Sequence, residues 1–186
     1  LYGSNRSMME EMFQKQSMPF YRFGTTIFLQ KINEVELSNY IIKRFKQTKK
    51  TIEPEIAKKI SQEMENHPYY VQQMAHYVWL NTNDNAGIKQ YNDAINNMLT
   101  HNLILYQKDF ETLSISQIKC LKALVENTEL KMTSIETLKK YDLGSSATVI
   151  RALEALEKKE IIDRFTGKLE FVDPGFKLWL KSNIFK

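Results

Sequence analysis

Cysteine is nearly absent from this 186-residue chain: Cys120 stands alone. One thiol excludes an internal disulfide and suits a reducing cytoplasm, where the protein is expected to reside. It falls inside an amphipathic stretch and reads as an inert helical thiol rather than a nucleophile. Glycine is also scarce. The six glycines are scattered, so neither G-x-x-x-x-G-K-[ST] nor G-x-G-x-x-G occurs, and G-x-S-x-G is missing too. The chain alone is therefore not expected to hydrolyse a nucleotide. Three histidines, His67, His76 and His101, have no cysteine cluster or carboxylate spacing that would hold a metal. No apolar run approaches the length of a membrane span, and no secretory signal opens the chain.

Neither charge sign dominates. The net charge is +4, and both parts are mildly basic. Residues 1–105 carry 12 Lys+Arg against 10 Asp+Glu, and residues 106–186 carry 14 against 12. At 42% hydrophobic and 26% charged residues, the composition is that of an ordinary globular protein with room for one or two cores.

The most informative pattern is in the last third. Ile115, Ile118, Leu121, Leu124 and Val125 recur at helical spacing and form one apolar stripe. A shorter helix is predicted over 134–141, followed by Asp142-Leu143-Gly144, where Gly144 can close a helix in the left-handed conformation. Ser145 or Ser146 then caps a third helix with Val149, Ala152, Leu153 and Leu156 inward. A hairpin follows, with Ile161, Ile162 and Phe165 on one arm, Leu169, Phe171 and Val172 on the other, and Thr166-Gly167 at the tip. Helix, helix, turn, helix, hairpin is the order of a winged helix.

That order raises the question of nucleic acid. The candidate recognition helix, 145–160, sets Arg151, Lys158 and Lys159 against Glu154, Glu157 and Glu160, a net charge of zero. A helix entering the major groove faces dense phosphate charge, and binders usually carry a clear positive surplus there. The DNA-contact candidates are Ser146, Thr148 and Arg151 at the helix start, with Arg164 and Lys168 on the wing. The competing reading is a winged helix used for packing or protein contact.

Upstream, the pattern is mainly helical. A short helix is expected over 7–15, a loop at 19–24 and an extended stretch at 25–29. Helices follow over 34–48, from Pro54 with Ile56, Ile60 and Met64 as its stripe, over 68–80 and over 88–100. The helix from Pro54 stops at Asn66-His67-Pro68, because the residue before a proline is pushed out of the helical region. Residues 47–51 and 81–87 read as polar connections, and 101–112 as a lead into the winged helix. The chain opens at Leu1-Tyr2-Gly3-Ser4, without methionine and within an extended-looking stretch. It is therefore expected to be the C-terminal part of a longer protein.

Residues 3–80 resemble the later part of an AAA+-type P-loop ATPase of the STAND/archaeal-type group. Gly3-Ser4-Asn5-Arg6-Ser7-Met8-Met9 is similar to the end of the first sensor strand and the helix after it. Pro19-Phe20-Tyr21-Arg22 resembles the loop that follows, and Leu29-Gln30-Lys31-Ile32 the crossing into the helical lid. Glu65-Asn66-His67-Pro68-Tyr69-Tyr70-Val71-Gln72-Gln73 is similar to the G-x-P-x-x-x-Q lid motif, with Asn66 where glycine is common. Arg22 follows Tyr21 directly, one position off the family spacing.

The resemblance implies three parts: a remnant of the ATPase core over 1–30, a helical lid over 31–105 and a winged helix over 106–186. It implies ATP or ADP with Mg2+ as cofactor of the whole protein, bound largely by a P-loop domain upstream of Leu1. By the same resemblance, Ser4 would sense the γ-phosphate or its attacking water. Arg22 would neutralise charge on the phosphates. His67, Pro68 and Tyr69 would meet the adenine, a helix-start proline offering a flat apolar surface. The expected fold is mainly α. The alternatives are a DNA-binding protein of the initiator or regulator type and a protein-interaction module.

Overall fold

The computed structural model describes residues 12–23, 31–165 and 168–185. Residues 12–23 belong to a unit of their own, distinct from that formed from Lys31 onward. Within it, Phe20 sits between Phe13 and Phe23, with ring centroids 6.0 and 6.3 Å away. The expectations for Ser4, for the helix start before residue 12, for 24–30 and for the hairpin tip at Thr166-Gly167 lie outside the described residues.

From Lys31 the chain is mainly helical. Helix α1 spans Glu34–Gln47, strand β1 Thr51–Ile52, α2 Pro54–Glu63, α3 Pro68–Leu80, β2 Asn85–Ala86 and α4 Ile88–His101. Helix α5 spans Leu103–Glu111, α6 Ile115–Glu126, α7 Ile135–Lys140 and α8 Ser146–Lys158. Strands β3 (Ile162–Phe165) and β4 (Lys168–Phe171), helix α9 (Pro174–Trp179) and a π-helical turn, Leu180–Ile184, complete it.

Short polar side chains set most of the helix starts. Asn33 Oδ1 accepts the Val35 amide at 2.8 Å. Ser114 and Gln117 form a capping box on α6, each side chain accepting the other's amide. Ser134 and Ser145 cap α7 and α8. Pro54, Pro68 and Pro174 stand at first helical positions, where the missing N–H costs nothing.

Helix ends are closed in a way that follows from the scarcity of glycine. Lys49, Glu65, Asp142 and Glu160 each adopt positive φ, between 49° and 60°. At each of them the next residue's amide reaches back five residues, as from Lys50 to Phe45 O and from Asn66 to Ser61 O. This is the Schellman closure, carried here by residues that tolerate the left-handed region poorly. Asp142, not Gly144, therefore closes α7; Gly144 (φ 76°) makes the turn that follows.

Two hydrophobic cores result. Leu37, Ile41, Phe45, Ile56, Ile60, Met64, Val71, Met74, Val78, Tyr91 and Met98 fill the first, between α1 and α4. The connections 47–51 and 81–87 are more ordered than their polarity suggests. They meet as a two-residue parallel pair, Thr51 against Asn85 and Ile52 against Ala86. The second core holds Leu121, Leu124, Val149, Leu153, Leu156, Ile162 and Phe171, with Phe176, Trp179 and Leu180 from the chain end. Leu99 packs against both cores, and Leu178 of α9 packs against the first.

Three expectations are corrected by packing. Ile115 is 75% exposed because it is the first residue of α6, ahead of the turns that meet α8. Val172 lies past the end of β4 and is exposed. Residues 101–112 are not a simple lead but a separate helix, α5, whose Tyr106 enters the second core.

Candidate functional site

The residues from Glu65 to Tyr70 form a compact corner between the end of α2 and the start of α3. Glu65 and Asn66 are both left-handed, at φ 50° and 56°. Asparagine is among the few non-glycine residues that enter this region readily, which explains how it stands where the resembling motif carries glycine. His67 is extended (φ −82°, ψ 115°), as a residue before proline must be, and Pro68 begins α3.

Aromatic rings crowd this corner. His67 and Tyr70 meet edge to face at 4.9 Å, as do Tyr69 and Tyr70 at 5.0 Å. Tyr69 is 62% exposed, whereas His67, Pro68 and Tyr70 are half-buried. Burial, followed by the charge of Lys31, holds the His67 imidazole below its ordinary pKa, so it is neutral at pH 7. Asn66 Oδ1 and His67 Nδ1 are buried without a hydrogen-bond partner. Such orphaned polar atoms cost free energy unless something else satisfies them.

The winged-helix part reaches this corner directly. Lys177 Nζ of α9 lies 2.5 Å from Glu65 Oε1. Lys31 Nζ lies 2.6 Å from Glu170 Oε2 on β4. Asp173 caps α9, accepting the Gly175 amide at 2.7 Å. Burial pushes its carboxyl above the usual carboxylate range, against the opposing pull of the Gly175 and Phe176 amides and the Tyr106 hydroxyl. Tyr106, Phe176 and Trp179 then pack as one aromatic group, with centroids 5.5 to 6.0 Å apart.

Arg22, in the separate unit, is left-handed (φ 56°), and its guanidinium lies 5.1 Å from the Tyr21 ring centroid. Its amide donates to Phe13 O at 2.9 Å.

The DNA-contact candidates lie on α8 and on the two strands of the wing. Ser146 and Arg151 are exposed on α8, and Thr148 is half-buried under its cap. Arg164 Nε lies 2.6 Å from Glu157, and Lys168 Nζ lies 2.9 Å from Glu129. The wing cations are thus already paired with carboxylates. Among the described residues, no group of histidine, cysteine or carboxylate side chains could hold a metal. No described helix is long and apolar enough to cross a membrane.

The helices α6, α7 and α8 followed by the antiparallel β3–β4 ribbon make the carboxy-terminal part a winged helix. A family model described as a probable winged helix domain matches residues 104–182. No curated protein matches the chain.

Residues 43–50 are strongly basic, a feature that no sequence motif marks. Lys43, Arg44, Lys46, Lys49 and Lys50 are five cations in eight residues with no carboxylate among them. A charge count over short windows finds it; counts over whole halves of the chain dilute it.

Proposed function

We propose that the chain is the lid and winged-helix part of an AAA+/STAND-type ATP-binding protein. In this reading, residues 1–30 are the end of the ATPase core, 31–105 the lid and 106–186 the winged helix. ATP or ADP with Mg2+ is held mainly by an upstream P-loop domain. The observation that carries the reading is the corner at His67-Pro68-Tyr69. It offers an exposed tyrosine ring, a helix-start proline and two buried polar acceptors without partners. A purine suits the exposed part of that set, its ring packing on the tyrosine and proline faces. Ser4 and Arg22 keep their proposed roles near the phosphates.

The same corner is tied to α9 through Glu65 and Lys177. A nucleotide that contacts Tyr69 in a closed lid would thereby bias the position of the winged helix. Ligand shifts such an equilibrium only through its differential contacts with the two states. The winged helix then acts in packing and protein contact, a role favoured by the paired wing cations. The test is calorimetric titration of ADP into the protein with its P-loop domain, comparing Pro68→Ala and Tyr69→Ala with the parent. Weaker binding with unchanged melting supports the reading; unchanged affinity in both variants reduces these residues to helix-start packing.

One observation favours a second reading. Arg151 is exposed in the middle of α8, the helix by which a winged helix meets the major groove. Tight binding to one duplex sequence, lost in Arg151→Ala, would make the protein a DNA-binding regulator.

A further inference from the structure

The carboxy-terminal end of α1 carries positive charge that the fold does not use. Lys43, Lys46 and Lys49 are exposed, and their side chains make no hydrogen bond or ion pair among the described residues. Two neighbouring cations are engaged differently. Arg44 donates to Gln47 Oε1 at 3.0 Å, and Lys50 donates to the Trp79 carbonyl at 2.9 Å while covering its ring at 4.0 Å. None of the five meets a carboxylate. The wing is the opposite case, with Arg164 and Lys168 both neutralised.

Lysines at the carboxy-terminal end of a helix complement its dipole, but crowded there they also repel one another, a repulsion that a bound anion would relieve. Asn39, Ile42, Lys43, Lys46 and Gln47 line one shallow recess, which places the first two free lysines on a common face. From Lys43 to the end of α1 at Gln47 the helix rises about 6 Å at 1.5 Å per residue, and Lys49 follows in the turn that closes it.

We infer that this face of α1 binds the sugar-phosphate backbone of a nucleic acid, without reading its sequence. Base stacking is not offered. Trp79, the large aromatic beside the lysines, is covered by Lys50 and lies against His76 at 5.9 Å with nearly parallel planes. A lipid surface fits less well. The apolar side chains within 42–50 are Ile42, half-buried, and Phe45, buried, and the one ring exposed a turn earlier, Tyr40, is too little apolar surface to anchor the helix between lipids. The inference is independent of the nucleotide reading, since α1 shares no residue with the His67 corner.

The experiment uses the full 186-residue chain and a fluorescent random-sequence 20-base-pair duplex, titrated from 50 to 200 mM salt. Three free lysines imply a log–log salt slope of about −2.7, at roughly −0.9 per phosphate. The triple variant Lys43→Gln/Lys46→Gln/Lys49→Gln should bind at least about tenfold more weakly at 50 mM salt, with a slope near zero. All three changes are at exposed positions, and circular dichroism checks the fold. The corresponding triple arginine variant should retain both affinity and slope, and Arg151→Ala should leave them unchanged. Absence of binding at 50 mM salt overturns the inference, as does equal binding by the glutamine triple. Loss on Arg151→Ala alone overturns it in favour of the recognition helix. Sedimentation with phosphatidylserine vesicles without binding to the duplex overturns it in favour of a membrane.

Discussion

Lys177 of α9 sets its ammonium 2.5 Å from the Glu65 carboxylate, joining residues 112 positions apart across the two hydrophobic cores. Both side chains are less than a third exposed, so the pair is screened less than a surface ion pair. A double-mutant cycle of Glu65→Gln and Lys177→Met in urea should give a coupling of about 1–2 kcal/mol. Strictly additive single effects would mean that the contact contributes nothing to holding the corner against α9.

Asp173 should make stability depend on pH in a definite sense. Its folded pKa lies above the unfolded value, so the folded state binds more protons between the two. Stability is then lost as pH rises from the ordinary carboxylate value, near 4, through the folded one. Asp173→Asn keeps the acceptor for the Gly175 amide but cannot ionise. Its stability relative to the parent should rise between pH 4 and pH 7. Parallel urea-derived profiles for the two proteins would contradict this.

His67 should act in the opposite sense. Its folded pKa is lowered by burial first and by Lys31 next. Its contribution is complete above the unfolded value, near 6.5, and is lost as pH falls below it. His67→Gln should flatten the decline in melting temperature between pH 7 and pH 5, and a decline as steep as the parent's would exclude the histidine as its source.

The left-handed helix ends predict an unusual gain. Lys49 holds φ 60° with an exposed, unpaired side chain. A non-glycine residue there costs about 1–2 kcal/mol, and glycine's added chain entropy returns about half of that. Lys49→Gly should therefore stabilise the protein by about 0.5–1 kcal/mol, measured as a higher urea midpoint with unchanged m-value. A lower midpoint would show that the strain is relieved elsewhere.

Cys120 should be chemically silent while the protein is folded. It is buried in the second core, and burial pushes its thiol up to about 11. Only the thiolate attacks a disulfide reagent. Labelling at pH 8 should be slow and should accelerate with urea in step with unfolding; rapid labelling of the native protein would refute the burial.

Periodicity alone determined the winged-helix order, because Leu121, Leu124, Val149, Leu153 and Leu156 repeat with the period of a helix that buries one face. Pro54 and Pro68 likewise announced two helix starts through local stereochemistry. Chain contacts decided the rest. The aromatic group of Tyr106, Phe176 and Trp179 joins α5 to the chain end, and no local pattern pairs segments seventy residues apart. The proline that starts the helix at the His67 corner was legible in the sequence, but the attachment of Glu65 to Lys177 was not. Burial and ion pairing depend on what packs against a residue, and only the tertiary structure determines that. The same holds for charge: Arg164 and Lys168 look like phosphate contacts in the sequence, until folding places Glu157 and Glu129 beside them.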